Sequence, residues 1–217
     1  MVRRTYDTPT DPLTDGLSRV ATALHKAGRA ERAVDLLRED YRSDRQTVGW
    51  TVQLVGWLLD ARRTDEAATV IASVAPRALP SDWHCYTYAV SLARLGRLSE
   101  AEVLMGEVYA RNTDVQDGFS GIGWEHKTRG DLSRALELLG TDYDARRQSP
   151  GWQVNFVSAL LDGDRADEAL NVLTGISVEA LASDHARTAF FGSLLRLGQF
   201  DAAESLVRHT YGDPAST

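Results

Sequence analysis

The sequence has little of several residue patterns that would narrow its function. A single cysteine, Cys85, excludes an intrachain disulfide and a cysteine-based zinc site. No apolar run approaches the roughly 18 residues of a membrane-spanning helix. Acidic residues outnumber basic ones by 31 to 24 and both are spread along the chain, which argues against a nucleic-acid-binding surface. Arg3 and Arg4 precede a polar rather than an apolar segment, so we expect no export signal and a cytoplasmic location.

Catalytic motifs are equally scarce. The chain has neither the phosphate-binding pattern G-x-x-x-x-G-K-[ST] nor the zinc pattern H-E-x-x-H. No two of the five histidines stand three or four residues apart, so no helical face is predicted to present two metal ligands. His126 occupies a column otherwise filled by leucine and Cys85 a packing column of helix A, and both are interpreted as buried structural residues. We therefore expect a protein that is not an enzyme and that holds no cofactor or metal.

A repeat with a period of 34 residues runs along the chain. Each repeat carries a short motif that ends in alanine, and the six alanines are Ala33, Ala67, Ala101, Ala135, Ala169 and Ala203. Apolar columns thirteen and nine residues before each alanine, and four after it, have the spacing of one buried helical stripe. The motif begins at Gly28, Arg62, Gly96, Gly130, Asp164 and Gly198, and this column is interpreted as a turn that favours a left-handed residue. Each repeat is thus predicted to be a helix A, a turn and a helix B, with the A helices beginning near residues 15, 49, 83, 117, 151 and 185.

The period and the pattern of small and large residues resemble the tetratricopeptide repeat (TPR) family. The resemblance covers residues 14–217, with two departures. The usual closing proline is missing from its column, and the aromatic expected nine residues before the alanine is leucine in five repeats and His126 in the sixth. The resemblance implies an all-α fold, a right-handed α-solenoid of six helix-turn-helix repeats. Pentatricopeptide RNA readers have a similar layout, but the acidic balance and the period of 34 disfavour them.

A longer period of 102 residues lies over the short one. Leu58-Leu59-Asp60 recurs as Leu160-Leu161-Asp162, and Arg94-Leu95-Gly96 recurs as Arg196-Leu197-Gly198. We infer a tandem duplication of a three-repeat block. Repeats one to three are predicted over residues 14–115 and repeats four to six over 116–217, in one continuous solenoid. Residues 1–13 are predicted to be a disordered or extended tail.

The TPR resemblance implies that the A helices line a concave surface. Its predicted columns include Val52, Ala93 and Val154, and its middle carries three aromatic residues, whose rings either anchor a peptide or pack between helices. One column alternates in charge and either pairs internally as a ladder or recruits a charged ligand. The column reads Lys26, Asp60, Arg94, Thr128, Asp162 and Arg196. The full candidate binding set is Lys26, Asp60, Trp83, Tyr86, Arg94, Trp124, Lys127, Asp162 and Arg196.

Two functions follow as expectations. The first is a scaffold that binds an extended peptide or a partner helix in the concave groove, with aromatic anchors and with Arg94 and Lys127 for a carboxylate. The second is an assembly or regulatory subunit that acts through self-association of its terminal hairpin or its convex face. The C-terminal hairpin is predicted to leave part of its apolar set in water, which favours a homodimer through this hairpin. That set is Phe190, Phe191, Leu194, Phe200, Leu206, Val207 and Tyr211. Neither nucleic acid nor a membrane is an expected partner.

Overall fold

The computed structural model describes residues 16–38, 48–112 and 114–212, and within them the fold is all-helical. The tail predicted for residues 1–13 lies outside the described residues. Twelve α-helices and no β-strand occur in the described ranges. They are α1 (Gly16–Lys26), α2 (Ala30–Arg38), α3 (Val48–Asp60), α4 (Thr64–Ala72), α5 (Asp82–Arg94), α6 (Leu98–Arg111), α7 (Gly118–Thr128), α8 (Leu132–Asp144), α9 (Pro150–Asp162), α10 (Ala166–Thr174), α11 (Asp184–Arg196) and α12 (Phe200–Tyr211).

Consecutive helices pack in pairs, α1 with α2 and so on to α11 with α12. Odd-numbered helices begin within one residue of the positions expected for the A helices. Each turn inside a pair contains one left-handed residue, as predicted. These residues are Gly28, Arg62, Gly96, Gly130, Asp164 and Gly198, with φ between 56° and 86°. At Arg62 and Asp164 the turn geometry imposes a conformation that side chains other than glycine rarely adopt.

The alanine column explains why the two helices of a pair pack closely. All six alanines of the repeat motif are buried, and each lies on an even-numbered helix. Gly123 on α7 also permits the close approach of α7 and α8, because a Cβ there would meet the Ala135 oxygen and the Leu139 Cγ at 3.2 Å. Gly123 is therefore a packing residue.

Helix boundaries recur at a separation of 102 residues. The bounds of α1 and α7, α3 and α9, α4 and α10, and α5 and α11 correspond residue for residue. The correspondence extends to two short 3₁₀ turns that the sequence did not predict, Pro76–Ala78 and Val178–Ala180. The same turn therefore forms with proline at its first position in one case and with valine in the other.

The 3₁₀ turns end helix B early, so that α4 and α10 have nine residues each. After α4, Pro76 lacks the N–H that a continuing helix would need, and Ala75 before it is extended. After α10 the cause is burial, because Val178 and Leu181 both pack into the core. Helix B thus ends at the same place in both blocks, through a local breaker after α4 and through tertiary packing after α10.

Two compact units make up the chain, Met1–Thr113 and Asp114–Thr217, called unit 1 and unit 2 below. The core of unit 2 is built from the apolar columns of α8 to α12, with Leu139, Phe156 and Leu160 near its centre. Among the described residues, no helix combines the length and the apolarity needed to cross a bilayer.

Candidate functional site

A carboxylate ties together three A helices of unit 1. Asp60, the last residue of α3, accepts a hydrogen bond from Arg94 at the end of α5, with 2.8 Å between Oδ1 and Nη2. Its Oδ2 lies 2.7 Å from the Nε2 atom of His25 in the last turn of α1. The His25 ring stacks on the buried Trp57, with centroids 5.3 Å apart. We call His25, Asp60 and Arg94 the unit 1 trio.

The same arrangement occurs in unit 2. Asp162, at the end of α9, lies 2.8 Å from Lys127 Nζ on α7 and 2.8 Å from Arg196 Nη2 on α11. Burial alone would raise the pKa of Asp162, but the hydrogen bonds from the two cations outweigh it and lower the pKa. We call Lys127, Asp162 and Arg196 the unit 2 trio. Its carboxylate stays charged at neutral pH between two cations.

Lys127 also contacts two neighbours that the repeat pattern did not single out as a group. Its Nζ atom donates to Ser158 Oγ at 3.2 Å and lies 4.6 Å from the centre of the half-buried Trp124 ring. A cation over an indole face is held by the ring quadrupole as well as by its carboxylate. In unit 2, Trp124, Lys127 and Asp162 therefore form one connected cluster.

The prediction that the charged column pairs internally as a ladder is thus partly correct. Asp60 with Arg94, and Asp162 with Arg196, pair between neighbouring A helices as the ladder interpretation required. The third member is His25 or Lys127, each one residue before the predicted Lys26 or Thr128. Lys26 is exposed on the next face of α1. One residue rotates a side chain by about 100° around a helix, so a column drawn from the repeat alone selected the wrong neighbour.

The aromatic candidates differ in their surroundings. Trp83, in the first turn of α5, is 53% exposed and meets His84 edge-on, with centroids 4.9 Å apart. Tyr86 on the same helix is half-buried, as is Trp124 of unit 2. Trp83 therefore lies at the surface rather than between helices. The predicted groove residues Val52, Ala93 and Val154 are wrong, since all three are fully buried.

A buried polar network in unit 2 was missed by the sequence columns. Asp142 of α8 is fully buried and accepts hydrogen bonds from both the backbone N–H and the hydroxyl of Ser120, each at 2.7 Å. It thereby caps the N-terminus of α7 from outside that helix. Gln148 donates to Ser120 Oγ and to the Leu139 carbonyl, while its Oε1 atom has no hydrogen-bond partner among the described residues. The sequence does carry a signal for this network, because the same three residue types stand 102 residues earlier, as Ser18, Asp40 and Gln46.

Asp117 extends the network to α9. It precedes α7 in the left-handed conformation, with φ of 58°, and its Oδ1 accepts the Ser149 N–H at 2.7 Å. Burial raises the pKa of Asp117, more than the hydrogen bonds from Ser149 lower it. The side chain therefore fixes the start of α9 at the cost of holding a charge in a poorly solvated place.

Each unit also has an open crevice. In unit 1 a crevice of about 400 Å³ lies between the first 3₁₀ turn, the start of α5 and the end of α6. There Arg111 binds Asp82 at 2.7 Å and approaches the buried Cys85 Sγ at 3.4 Å. Hydrogen bonds from Asn112 and Arg111 lower the pKa of Asp82. In unit 2 a crevice of about 490 Å³ lies between α8, α9 and α10, with Tyr143 and Phe156 among its lining residues.

The two isolated candidates of the sequence are structural residues, as predicted. His126 is buried and its Nδ1 lies 3.1 Å from Asp131 Oδ2, while Cys85 is buried as a free thiol. Within the described ranges, no three His, Cys, Asp or Glu side chains gather closely enough to suggest a metal site.

Comparison with known proteins does not assign the chain to a family. No protein-family model matches the chain, and a search of curated proteins finds no match either. The resemblance to TPR proteins therefore remains an interpretation of the 34-residue pattern, and the function is argued from the geometry alone.

Proposed function

We propose that the chain is a TPR-like repeat protein of the cytoplasm, without enzymatic activity, that binds an extended peptide or a partner helix on the faces of its A helices. In this proposal the six helix pairs continue in one right-handed solenoid. The observation that carries the binding function is the placement of Trp83, a large ring left in water on a helix of a packed unit.

An exposed tryptophan is a strong candidate for an anchor. Covering a large apolar side chain is worth about 1.5–3 kcal/mol, and Trp83 forgoes more than half of this in the free protein. A partner that covers the ring recovers the remainder. Tryptophan and tyrosine dominate binding hot spots because their rings combine a large apolar area with a polar tip. Trp83 and Tyr86 in unit 1, and Trp124 in unit 2, are the proposed anchors.

The two trios fix the C-terminal ends of the A helices, about 16 Å along α5 from Trp83 in unit 1. Each joins three A helices at their C-terminal ends through short contacts to one carboxylate. Groups that are already held in place lose little freedom when a partner binds, which favours affinity. Arg94 and Arg196 bring guanidinium groups to this end of the helices, where an acidic group of a partner would compete for them with the trio carboxylates. We propose that a ligand contacts the aromatic anchors with its apolar side chains and this end with an acidic group.

The test uses peptides selected from a random display library against the whole chain. Affinities of the selected peptides are then measured for wild type, Trp83→Ala and Trp124→Ala. We expect at least one of these variants to bind roughly tenfold more weakly, because truncated hot-spot residues cost that much or more. Val103→Ala is the matched control, since Val103 is also an exposed apolar side chain but lies on the helix B α6. Selection of no peptide, or equal losses in all three variants, would refute the proposal.

A second function, self-association, is favoured by the surface of α12. Of the seven apolar residues predicted for the last hairpin, Phe190, Phe191 and Leu194 are buried, whereas Phe200, Val207 and Tyr211 are exposed. Leu206 is half-buried. The three exposed side chains support the proposal, because exposed apolar patches are typical of association surfaces. Light scattering over a range of concentrations tests it: a mass that rises above the monomer value supports the function, and a constant monomer mass refutes it.

A further inference from the structure

We propose that the surface that covers α12 is the outer face of α1 in a second copy of this chain, so that two copies associate head to tail. The proposal rests on the self-association function above and names its partner. It follows from comparing one covered junction inside unit 2 with two faces, on α1 and α12, that the described residues leave exposed.

The covered junction lies between α8 and α9, a helix B and the next helix A. Tyr143 of α8 packs on Phe156 of α9 with ring centroids 5.4 Å apart. Leu139, one turn before Tyr143, belongs to the same buried cluster as Phe156, and Leu132 packs against that cluster. Tyr143 of a helix B is thus covered by the following helix A, and Leu139 and Leu132 pack into or against the cluster to which that helix A contributes.

The same three positions recur on α12, where Tyr211 makes a ring contact with Phe191 of its own hairpin, with centroids 6.3 Å apart. Two repeats after Leu132, Leu139 and Tyr143 stand Phe200, Val207 and Tyr211. They are 65%, 39% and 54% exposed, respectively. Tyrosine is kept, and the other two positions keep large apolar side chains. The face of α12 therefore has the composition of a covered helix B and the exposure of an open surface.

The complementary half of the junction is exposed on α1. Phe156 belongs to the column thirteen residues before the repeat alanine. In five repeats this column is buried, at Leu54, Tyr88, Ile122, Phe156 and Phe190. Its remaining member is Val20, which is 44% exposed on α1. Helix α1 thus presents the position that covers a helix B in the junction between α8 and α9.

Within the described residues, one chain consequently carries both halves of a junction, and each half is largely exposed. A second copy offers α1 to the α12 face of the first, with Val20 placed towards Val207 and Tyr211 as Phe156 is towards Leu139 and Tyr143. The contact is heterologous, because the two copies contribute different faces. Contact between two α12 faces would leave Val20 in water.

A mixing experiment separates these arrangements. Val20→Glu places a charge on the α1 face, and Tyr211→Glu places one on the α12 face. We expect wild type to rise above the monomer mass of 23.9 kDa with concentration, and each variant alone to stay monomeric. An equimolar mixture of the two variants should form a heterodimer, because each supplies the face that the other has lost. Val103→Glu is the control, since it alters an exposed apolar residue of α6 and should associate like wild type.

Each other result overturns the proposal. If Val20→Glu associates like wild type while Tyr211→Glu is monomeric, self-association stands but its partner face is not α1. If the mixture of two monomeric variants stays monomeric, head-to-tail contact is wrong. If wild type is monomeric throughout, both self-association and this proposal fail. Val207→Glu serves as a second α12 variant, and far-ultraviolet circular dichroism verifies that every variant keeps its helix content.

Discussion

Substitution of Asp162 by alanine is the most informative perturbation of the unit 2 trio. The carboxylate holds Lys127 and Arg196 at 2.8 Å each. The Lys127 side chain is only 15% exposed, so its ammonium group cannot turn fully into water when the carboxylate is removed. Arg196 is half-exposed and is largely solvated on its own. Most of the cost therefore falls on Lys127.

The known contributions of exposed and of buried ion pairs set limits on the expected loss of stability. Exposed pairs contribute about 0.2–1 kcal/mol, and removal of one partner from a buried pair costs about 3–5 kcal/mol. Because Asp162 itself is 38% exposed, we expect a value between these limits. Asp162→Ala should lower the free energy of unfolding by about 1–2 kcal/mol. For a chain of this length this is a fall in Tm of about 2–8 °C.

The assay is urea unfolding followed by circular dichroism, with the double variant Lys127→Met/Asp162→Ala beside the single one. If a stranded ammonium group causes the loss, methionine should restore part of it. Since the pKa of Asp162 is lowered in the fold, its contribution is complete above the unfolded value of 3.8 and disappears as the pH falls below it. A single variant as stable as wild type, or a double variant less stable than the single one, would refute the reasoning.

Two further outcomes follow from the described contacts. Gly123→Ala should destabilise the chain by about 1–3 kcal/mol, because the new Cβ meets the backbone oxygen of Ala135 at 3.2 Å. Gly192→Ala adds a Cβ in open space and should stabilise the chain by about 0.5–1 kcal/mol. Thermal unfolding of both variants measures the difference. Asp117→Asn should keep the bond from the Ser149 N–H and tolerate the left-handed backbone, while Asp117→Ala loses both advantages. Because the pKa of Asp117 is raised in the fold, wild-type stability should fall as the pH rises through this group, and Asp117→Asn should remove that slope in a pH series of unfolding curves. A steeper slope in the asparagine variant would contradict this.

Features set by local geometry could be predicted from the sequence. The turn needs a left-handed residue and the helix crossing needs a small one, so Gly28, Ala33 and their repeats identify helix boundaries to within one residue. Both requirements are met within a few residues of chain. Because they recur every 34 residues, the turns at Arg62 and Asp164 could be placed from the period even though glycine is absent there.

Features set by contacts distant in sequence could not be predicted. The second 3₁₀ turn depends on burial of Leu181 and has no local breaker such as Pro76. The choice of His25 over Lys26 depends on where α3 places Asp60. The cap of Asp142 on Ser120 joins residues 22 positions apart. In each case the outcome depends on a residue from a distant part of the chain. The columns of the repeat do not encode where the side chain of that residue points.

The proposed peptide-binding function is tested most directly by the indole N–H resonances of the five tryptophans during a titration with a selected peptide. If the A-helix faces bind the ligand, the signals of Trp83 and Trp124 shift with ligand concentration, while that of the buried Trp57 moves least. If the peptide binds and neither the Trp83 nor the Trp124 signal shifts, the ligand contacts another surface and the proposed site is wrong.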